Sequence, residues 1–550
     1  MQYTFGSFDQ HRVMADATSA ITKDKKLKYR LVVGYENTGM LDKNQKIQNI
    51  FLAPQLQYDF SDKTSVNYEL NYSNDNRTMG FQRGVPALQL PDGTWDVRRF
   101  PRNTSMIDPN GFSNTRTLSN QLMFTHKFSD DVKFTLLARS THSQQTQVDL
   151  GPGQFSTGAI NDSMILTNNY GKDRPFAYQV SAFANIKKSL FNIENNVVIG
   201  GDFSYSYRNY VYGSLDSRVI NINNPQFGWG IYNYNDAMNQ GRAQEYTFGL
   251  PYAANEYTRL AALYIQDQIK ISEQFKLLLG GRIESHRFRQ NFVNPFRNDS
   301  VIARDTLTAI APVPRVGIVY QPLASISIYA SYTQGFQPQW GSNRGGGGPF
   351  GPERSRQYEV GSKNEWIKGK LMTTVAVYYI QKFDVLTTDP TDSSGFRLMK
   401  IDNVTSRGIE FSVQGNPTKN INLIANYAYN EARTPGDAGY DYNSPGWFPN
   451  APNHSANAWA KYNFTEGMLK GLGFGAGFTH VGLRHTFTPG FTIPAYTTFD
   501  AALSYKYKNY TANLNLYNLT DEWYFNGVYG PANLWPGNPR SFRLAVSALF

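Results

Sequence analysis

The sequence predicts an all-β fold: a single antiparallel transmembrane β-barrel of about 22 strands, with long loops at one rim and short turns at the other. Three observations support this prediction. Segments of about 8 to 14 residues alternate between apolar and polar side chains along the whole chain. The connections between these segments are short and long in turn. Aromatic residues make up 15% of the chain and charged residues only 17%, whereas soluble domains carry about 25% charged residues.

The mean hydropathy of −0.48 is that of a hydrophilic chain. No window approaches the roughly 18 consecutive apolar residues of a membrane-spanning helix, so a helical membrane protein is excluded. A closed barrel explains both facts, because alternate residues of each strand face lipid and a polar lumen.

The first strand is expected within residues 1–8 and the last within residues 541–550, and the two must pair to close the barrel. Between them, residues 65–72 carry apolar and aromatic side chains at the even positions and polar side chains at the odd ones. The same period of two occurs in residues 177–186 and 498–507. These segments predict strands with one face toward lipid.

Tight polar turns join the strands at one rim, which we assign to the periplasm. They are residues 22–26, 61–63, 129–131, 323–324, 368–369, 416–420 and 508–509. Long connections rich in Gly, Pro, Asn and aromatic residues are assigned to the extracellular rim. They are residues 77–114, 149–173, 213–255, 291–305, 337–351, 434–450 and 525–538. A structureless connection of some 40 residues argues against a compact soluble domain but is ordinary at the outer rim of a barrel.

A barrel of this width encloses a lumen too large for its own side chains to fill, and barrels of this size carry a plug. No segment reads as a separate plug, so we expect residues 1–550 to form the barrel wall alone, as one domain. The first 35 residues lack the apolar core of a signal peptide. Either the export signal has been removed or the chain begins partway through its gene.

The chain contains no cysteine, which excludes a disulfide scaffold, thiolate metal sites and cysteine nucleophiles. The formal net charge of +10 would suit nucleic acid, lipopolysaccharide or an anionic cargo. Because the basic residues are spread over many segments, we expect no nucleic-acid partner.

A series of short motifs follows in the second half of the chain. They are Pro352-Glu353-Arg354-Ser355 with Tyr358-Glu359-Val360-Gly361, Ser406-Arg407-Gly408-Ile409-Glu410, Pro452-Asn453-His454, the glycine-rich residues 471–477, Ile493-Pro494-Ala495-Tyr496 with Asp500, Asn518-Leu519-Thr520-Asp521, and Pro539-Arg540 before a last strand ending in Phe550. In this order they resemble the barrel of TonB-dependent siderophore receptors. The resemblance covers nearly the whole chain from Gly6-Ser7-Phe8 onward. Thr520 departs from it, since an aromatic residue is common there, and so does Glu522-Trp523-Tyr524.

The resemblance implies an outer-membrane transporter that imports ferric siderophores by active transport coupled to TonB and its inner-membrane motor. It implies a monomer whose only ligand is the transported ferric siderophore, with outer-membrane lipid and lipopolysaccharide around it. The family's signal peptide, TonB box and plug would all precede Met1, so TonB is expected to act through the missing plug. In the family a terminal aromatic residue, here Phe550, is recognised by the barrel-assembly machinery.

Two groups of residues are expected on the lumen side of the wall. Gly471, Gly473, Gly475 and Gly477 form a row without side chains, which permits close approach of a plug or an inserted loop, or else marks a locally flexible strand. The second group is polar and is interpreted as wall-to-plug hydrogen bonds and ion pairs rather than catalytic carboxylates. It consists of Glu353, Gln357, Glu359 and Glu410, while Arg354, Arg356 and Arg407 fall near the outer rim.

We find no motif for covalent chemistry: neither G-x-S-x-G, nor H-E-x-x-H, nor a phosphate-binding glycine loop occurs. His480 and His485 are five residues apart and fall on opposite faces of a regular strand, so they are poor joint ligands. Asp389 and Asp392 before Gly395 are interpreted as a polar turn rather than a cation loop. We therefore predict neither an enzyme nor a metal site.

The extracellular loops contain the residue types that a siderophore site needs. Arg and aromatic side chains could hold an anionic, partly aromatic chelate by charge, stacking and cation–π contact. The alternative for each is an interfacial girdle or, for Arg, binding of lipopolysaccharide phosphates. The candidates are Arg83, Trp95, Arg98, Arg99, Trp229, Tyr232, Tyr234, Phe336, Trp340, Arg344, Tyr440, Tyr442, Trp447 and Trp535.

Three other functions are compatible with parts of this pattern. The same class of transporter could carry cobalamin, another metal chelate or a glycan, since wall motifs do not discriminate cargo. A barrel without a plug could act as a passive porin. A soluble secreted β-propeller or sandwich enzyme is the least favoured interpretation.

Overall fold

The computed structural model describes residues 1–78, 84–105, 109–155, 163–190, 193–221, 252–295, 299–339, 348, 350–389, 391–392, 397–435 and 446–550. Twenty-two strands in this part of the chain form one closed antiparallel sheet. Each barrel strand pairs with the barrel strands before and after it along the chain. The same residues include no helix of the length and apolarity that a membrane crossing requires.

The strands of the first half include one small hairpin outside the barrel, formed by β6 and β7. They are β1 (Gln2–Gly6), β2 (Gln10–Ala20), β3 (Leu27–Gly39), β4 (Lys46–Ser61), β5 (Thr64–Arg77), β6 (Leu88–Gln89), β7 (Trp95–Asp96), β8 (Phe112–Lys127), β9 (Val132–Phe155), β10 (Ser163–Leu190), β11 (Ile193–Asn221), β12 (Tyr252–Lys270), β13 (Phe275–Asn294) and β14 (Ser300–Leu323).

The strands of the second half include three such hairpins, β18 with β19, β24 with β25 and β28 with β29. They are β15 (Ile326–Gln337), β16 (Glu353–Trp366), β17 (Leu371–Phe383), β18 (Val385–Thr388), β19 (Leu398–Ile401), β20 (Val404–Gly415), β21 (Ile421–Arg433), β22 (His454–Asn463), β23 (Leu472–Val481), β24 (Arg484–His485), β25 (Thr492–Ile493), β26 (Tyr496–Tyr507), β27 (Tyr510–Tyr517), β28 (Phe525–Gly530), β29 (Asn533–Pro536) and β30 (Ser541–Ala548).

The barrel closes where the first and last strands meet, as the sequence predicts. β1 pairs with β30 in antiparallel register, with Tyr3 opposite Val546. The amino group of Met1 donates a hydrogen bond to the carbonyl oxygen of Ala548 at 2.9 Å. β30 ends at Ala548, so Phe550 lies beyond the ladder and is 95% exposed. The predicted number of strands is confirmed.

The predicted alternation of apolar and polar faces is also confirmed. Tyr68, Tyr178 and Phe499 are 38%, 49% and 46% exposed on the outer, lipid-facing side of the wall. On the lumen side of the same strands, the amide of Gln55 donates a hydrogen bond to Asn67 at 3.2 Å. Apolar side chains thus remain exposed where they meet lipid tails, and polar side chains pair with one another across strands.

Strand length divides the barrel into two sides. The six strands β9 to β14 have 19 to 29 residues and form what we call the tall side. The other sixteen barrel strands have 5 to 16 residues and form the short side. A tilted strand crosses a membrane with about 9 to 11 residues, so the tall side extends well beyond the bilayer into the extracellular space.

The tall strands correct three of the predicted loops. Of residues 149–173, the strands β9 and β10 include all but residues 156–162. β11 continues to Asn221 and β12 begins at Tyr252, which shortens the loop predicted for residues 213–255. β13 and β14 likewise shorten the loop predicted for residues 291–305. Above the membrane neither face of the sheet meets lipid, so the sequence no longer alternates between apolar and polar side chains. The strands nevertheless continue to pair there, and the sequence pattern does not reveal it.

β14 extends further above the membrane than its neighbour β15. Their pairing ends at Arg315 opposite Thr333, and residues 300–314 of β14 pair only with β13 within the described chain. Pro312 and Pro314 lie at the end of this stretch, next to Arg315. Proline has no N–H to donate, and both residues have the same parity, so both place the missing donor on the side of β15. Pairing with β15 stops here although β15 itself continues to Gln337.

Candidate functional site

Three extracellular connections of the short side, residues 84–105, 482–495 and 518–540, pack into one unit that we call the loop platform. Backbone hydrogen bonds join Val85 to Leu534 in both directions, at 2.7 and 2.8 Å. The hairpins β6–β7, β24–β25 and β28–β29 all lie in these connections. Their buried apolar residues form a small core, namely Val85, Ala87, Val97, Phe491, Ile493, Phe525, Val528 and Leu534.

Charged side chains fasten the platform at its edge. Arg98 donates to the carbonyl oxygen of Trp523 at 2.7 Å and to the carboxylate of Glu522 at 3.3 Å. Arg102 donates to both carboxylate oxygens of Asp521 at 2.7 and 2.9 Å. The hydrogen bond from Arg102 lowers the pKa of Asp521 below its ordinary value. The carboxylate therefore stays charged, and it binds two segments more than 400 residues apart in sequence.

The motif Asn518-Leu519-Thr520-Asp521 forms the turn at which the third connection of the platform leaves β27. The backbone N–H of Asn518 donates to Asp500 at 2.7 Å, and its side-chain amide donates to the carbonyl oxygens of Glu522 and Asn538 at 2.9 and 3.0 Å. Asn518 and Asp521 have φ of 50° and 56°. Asn and Asp tolerate this left-handed conformation better than other side chains do, which explains their use in this turn.

A buried guanidinium holds the second hairpin of the platform. Arg484 is 4% exposed and donates to the carbonyl oxygens of Asn526 and Phe525 at 2.8 and 2.5 Å. Burial lowers the pKa of Arg484. Two of its nitrogen atoms donate to backbone carbonyls rather than to a carboxylate, so this contact organises the loops.

Trp447 lies in a three-layer stack beside the platform. The guanidinium of Arg433 is 3.4 Å from the centre of the indole, and the ring of His485 stacks at 4.8 Å with an angle of 11° between planes. Burial and the nearby charge of Arg433 lower the pKa of His485. A neutral imidazole and a charged guanidinium are both good partners for an indole face.

The platform uses several of the predicted cargo residues internally. Trp95 packs on Phe491 at 5.0 Å, Arg98 is bound as described, and Trp447 lies within its stack. The indole of Trp535 covers Gly527, where an added Cβ would lie 3.1 Å from the ring. The cargo assignment of these four residues stays a prediction, but each already has a packing partner within the protein.

The remaining cargo candidates differ in placement. Arg99 is exposed on the platform. Phe336 is at the top of β15, 5.3 Å from the ring of His286. The others lie outside the described residues: Arg83, Trp229, Tyr232, Tyr234, Trp340, Arg344, Tyr440 and Tyr442.

On the tall side, the lumen face above the membrane carries a charged cluster that sequence reasoning missed. Arg208 donates to both oxygens of Asp173 at distances of 2.6 to 3.0 Å and lies 3.7 Å from Glu256. Tyr212 also donates to Asp173, at 3.0 Å. The hydrogen bond that Arg208 donates to Asp173 raises the pKa of Arg208. The cluster joins β10, β11 and β12, and only the register between strands, which the sequence does not display, brings its members together.

The predicted polar wall residues face the lumen, and three of the four have partners there. Glu353 forms an ion pair with Lys382 at 2.7 Å. Glu359 accepts hydrogen bonds from Tyr329 at 2.6 Å and from Gln357 at 2.9 Å. Glu410 lines the same recess as Tyr329 and Glu359. Their further role against a plug stays a prediction. Of the predicted rim arginines, Arg354 pairs with Asp384 at 2.7 Å and Arg407 with Glu431 at 2.9 Å, while Arg356 lies over the ring of Phe383 at 4.4 Å.

Three of the four predicted wall glycines form the inward row, and the fourth does not. Gly473, Gly475 and Gly477 lie opposite the lipid-facing Phe474, which is 53% exposed. The indole of Trp459 lies against two of them, because an added Cβ at Gly475 or Gly477 would come within 2.6 Å of its ring. Gly471 precedes β23, with φ of 91°, and belongs to the turn. Close approach is thus made by a side chain of the neighbouring strand.

Among the described residues there is no group of three or more His, Cys, Asp or Glu that could hold a metal ion. The described part of the mouth offers charged, hydrogen-bonding and aromatic side chains.

Comparison with known proteins agrees with this architecture. A family model described as "TonB dependent receptor-like, beta-barrel" matches residues 52–519. The metal-pseudopaline receptor CntO of Pseudomonas aeruginosa is 27% identical over 566 residues, which covers 98% of this chain and 74% of that protein. The ferrichrome outer membrane transporter/phage receptor of Escherichia coli K12 is 24% identical and covers 92% of this chain and 67% of that protein.

Among solved structures, the ferric-catecholate import receptor Fiu of Escherichia coli K12 in its closed form superposes with a TM-score of 0.83. It is 18% identical and covers 100% of this chain and 81% of that chain. The siderophore receptor PiuA of Acinetobacter baumannii also has a TM-score of 0.83, at 18% identity, covering 99% of this chain and 80% of that chain. At this level of identity the likeness establishes a shared fold.

Proposed function

The chain belongs to the TonB-dependent receptor β-barrel family, a family of outer-membrane transporters and receptors, and we propose that it imports a ferric siderophore by TonB-coupled active transport. The observation that carries the proposal is the match, over 98% of this chain, to a receptor named for metal-pseudopaline. A second candidate cargo is the chelate of another metal, because that relative is named for metal-pseudopaline rather than for iron.

In this proposal the cargo enters the mouth between the loop platform and the tall side. The platform supplies a preorganised surface of the wall, because its apolar core and ion pairs fix the loops before any ligand binds. The tall side supplies polar and aromatic groups on its lumen face, among them Tyr212 and Arg208. No covalent step is needed, since the metal chelate is cargo and not a cofactor.

Transport then depends on partners beyond this barrel wall. We propose that a plug closes the lumen and that TonB, driven by its inner-membrane motor, acts on that plug to release cargo toward the periplasm. The polar residues Glu353, Gln357, Glu359 and Glu410 are the wall groups proposed to meet it. A passive porin is the competing function, and it needs neither TonB nor energy.

Uptake of radiolabelled chelates by a deletion strain tests the proposal. Iron-starved wild-type, deletion and complemented cells are given a panel of siderophores loaded with ⁵⁵Fe, and a parallel panel of chelates loaded with ⁶³Ni or ⁶⁵Zn. We expect at least one chelate whose uptake is lost on deletion, restored by the gene and abolished when TonB is depleted. Unchanged uptake of every chelate would reject the proposal in favour of cobalamin or a glycan, and TonB-independent uptake would favour a porin.

A further inference from the structure

The short periplasmic turns carry the whole net charge of the molecule. Together the ten turn segments contain nineteen lysines, no arginine and nine acidic residues, a net charge of +10 that equals the formal charge of the entire chain. The rest of the chain is neutral overall, with 34 basic and 34 acidic residues. The segments are residues 20–28, 59–64, 127–133, 187–195, 270–276, 321–326, 363–371, 415–422, 461–472 and 505–510.

This charge is concentrated on one part of the periplasmic rim. Five neighbouring segments, residues 363–371, 415–422, 461–472, 505–510 and 20–28, contain twelve of the lysines and three acidic residues. We call them the basic arc. The other five segments contain seven lysines and six acidic residues, so they are nearly neutral.

The basic arc is continuous in space. Hydrogen bonds join adjacent turns, from the N–H of Asn416 to the carbonyl oxygen of Lys370 at 2.7 Å and from the N–H of Lys506 to that of Gly471 at 2.9 Å. The closing pair of strands, β1 and β30, then links residues 505–510 to residues 20–28. Twelve lysines along one connected edge make a positive potential that isolated surface charges do not make.

Most of the arc's ammonium groups are not used within the protein. Lys28 pairs with Asp59, and Lys419 pairs with Glu466. In the described chain no ion pair is formed by six of the exposed turn lysines, namely Lys23, Lys25, Lys26, Lys368, Lys370 and Lys508. Lys508 lies over the ring of Tyr507 at 5.4 Å, which leaves its charge without a carboxylate. All six side chains can therefore meet an anion outside the barrel.

Exposed aromatic side chains indicate how deep the basic arc lies in the membrane. Trp366, Tyr462 and Tyr507, which are 48%, 43% and 56% exposed, lie on the lipid-facing side immediately before these turns. Trp and Tyr mark the boundary between the hydrocarbon core and the headgroups. The turn lysines beyond them therefore lie at the level of the headgroups of the periplasmic leaflet, which is made of phospholipid. Lysine suits this position because its long apolar stem reaches from the interface to a phosphate.

We propose that the basic arc is a binding surface for anionic phospholipid headgroups of the periplasmic leaflet. It recognises phosphatidylglycerol-like lipids by charge and holds one side of the barrel against them. This interaction is independent of the cargo and of the transport proposed above. Lysine is the only basic residue of these turns, and its compact charge on a flexible stem can follow mobile headgroups.

Native mass spectrometry of the delipidated protein in detergent tests the proposal. The probes are dioctanoyl phosphatidylglycerol and its zwitterionic counterpart dioctanoyl phosphatidylcholine, and the wild-type chain should retain the first at the lower concentration. The arc variant carries Lys23→Gln, Lys25→Gln, Lys26→Gln, Lys368→Gln, Lys370→Gln and Lys508→Gln. It should lose at least about tenfold in apparent affinity for phosphatidylglycerol, since each lysine near an anionic surface contributes about fivefold.

A matched variant removes the same charge from the other five segments. It carries Lys63→Gln, Lys127→Gln, Lys133→Gln, Lys187→Gln, Lys188→Gln and Lys276→Gln, and it should keep the preference for phosphatidylglycerol. Heat-dependent gel mobility establishes that both variants are folded barrels. Equal losses of affinity for phosphatidylglycerol in the two variants would show that only the net charge matters, and this would overturn the proposal. An unchanged preference in the arc variant would overturn it too, and full displacement of the lipid by polyglutamate would assign the arc to an acidic polypeptide instead.

Discussion

The tall and short sides build the extracellular wall in different ways. On the tall side, strands of up to 29 residues simply continue above the membrane, and the ladder itself is the wall. On the short side the strands stop early, and the wall is completed by loops that pack around an apolar core of their own. The tall side is held by its ladder together with small buried apolar clusters such as Val148, Tyr170 and Val211, whereas the loops of the short side depend on side-chain packing in a shared core.

This difference changes what an aromatic residue at the mouth does. Trp95, Trp447 and Trp535 look alike in sequence as candidates for stacking on cargo, yet each covers a neighbour in or beside the loop platform. The platform needs these rings because a wall without a ladder must bury apolar surface to be stable. On the tall side the ladder provides much of the stability, and its upper part combines buried apolar residues, such as Tyr170 and Val211, with the charged pair of Arg208 and Asp173 on the lumen face.

A substitution in the apolar core of the loop platform should have the largest effect on this difference between the two sides. Phe491 is 1% exposed, and Phe491→Ala should weaken the local stability of the platform by about 3 to 5 kcal/mol, through lost burial and the cavity left behind. We expect faster amide hydrogen exchange in residues 84–105, 482–495 and 518–540, measured by mass spectrometry. The tall side should be unaffected.

Phe474→Ala is the matched control, because Phe474 is 53% exposed to lipid on β23. It removes the same side chain from the same side of the barrel but leaves the platform intact. If exchange in the three connections stays slow in the Phe491 variant, the loops do not depend on a shared core, and the contrast between the two sides is wrong.

Sequence reasoning recovered the barrel because lipid imposes a period of two on every membrane crossing, as in residues 65–72. It missed the extent of β10 and β11 because that constraint ends at the membrane surface. It could not find the platform, since the contact of Val85 with Leu534 joins segments that no local pattern relates.

The basic residues also could not be assigned to a surface from the sequence alone. Along the sequence they are spread over many segments, which is why they suggest no particular surface. The fold returns every second connection to one rim, so lysines as far apart as Lys25 and Lys508 come to lie on one edge. A pattern that is dispersed in sequence thus becomes a single charged arc once the strand order is known.

A smaller effect is expected from the charged cluster of the tall side. Arg208→Met leaves Asp173, which is 8% exposed, without its cation and should cost about 1 to 3 kcal/mol of local stability, less than a fully buried pair because Arg208 is itself partly exposed. Amides of β10, β11 and β12 above the membrane should exchange faster, and the platform should not change. Arg174→Met, an exposed arginine next to Asp173, is the control and should behave as wild type. Equal exchange in the two variants would mean that the ladder alone supports the tall wall.

The smallest effect is expected from pH, and it should appear only beside the platform. His485 stacks on Trp447, and burial together with the charge of Arg433 lowers its pKa in the folded state. An unfolded loop binds the proton more readily than the folded one, so stability is present above the ordinary pKa of histidine and is lost as pH falls through it toward the lower folded value. Acidification from pH 7.5 to 5 should therefore speed exchange in residues 446–450 and 482–495 of the wild type, after correction for the intrinsic pH dependence of exchange. His485→Gln cannot titrate and should remove that difference. If the difference persists in this variant, a group other than His485 is responsible.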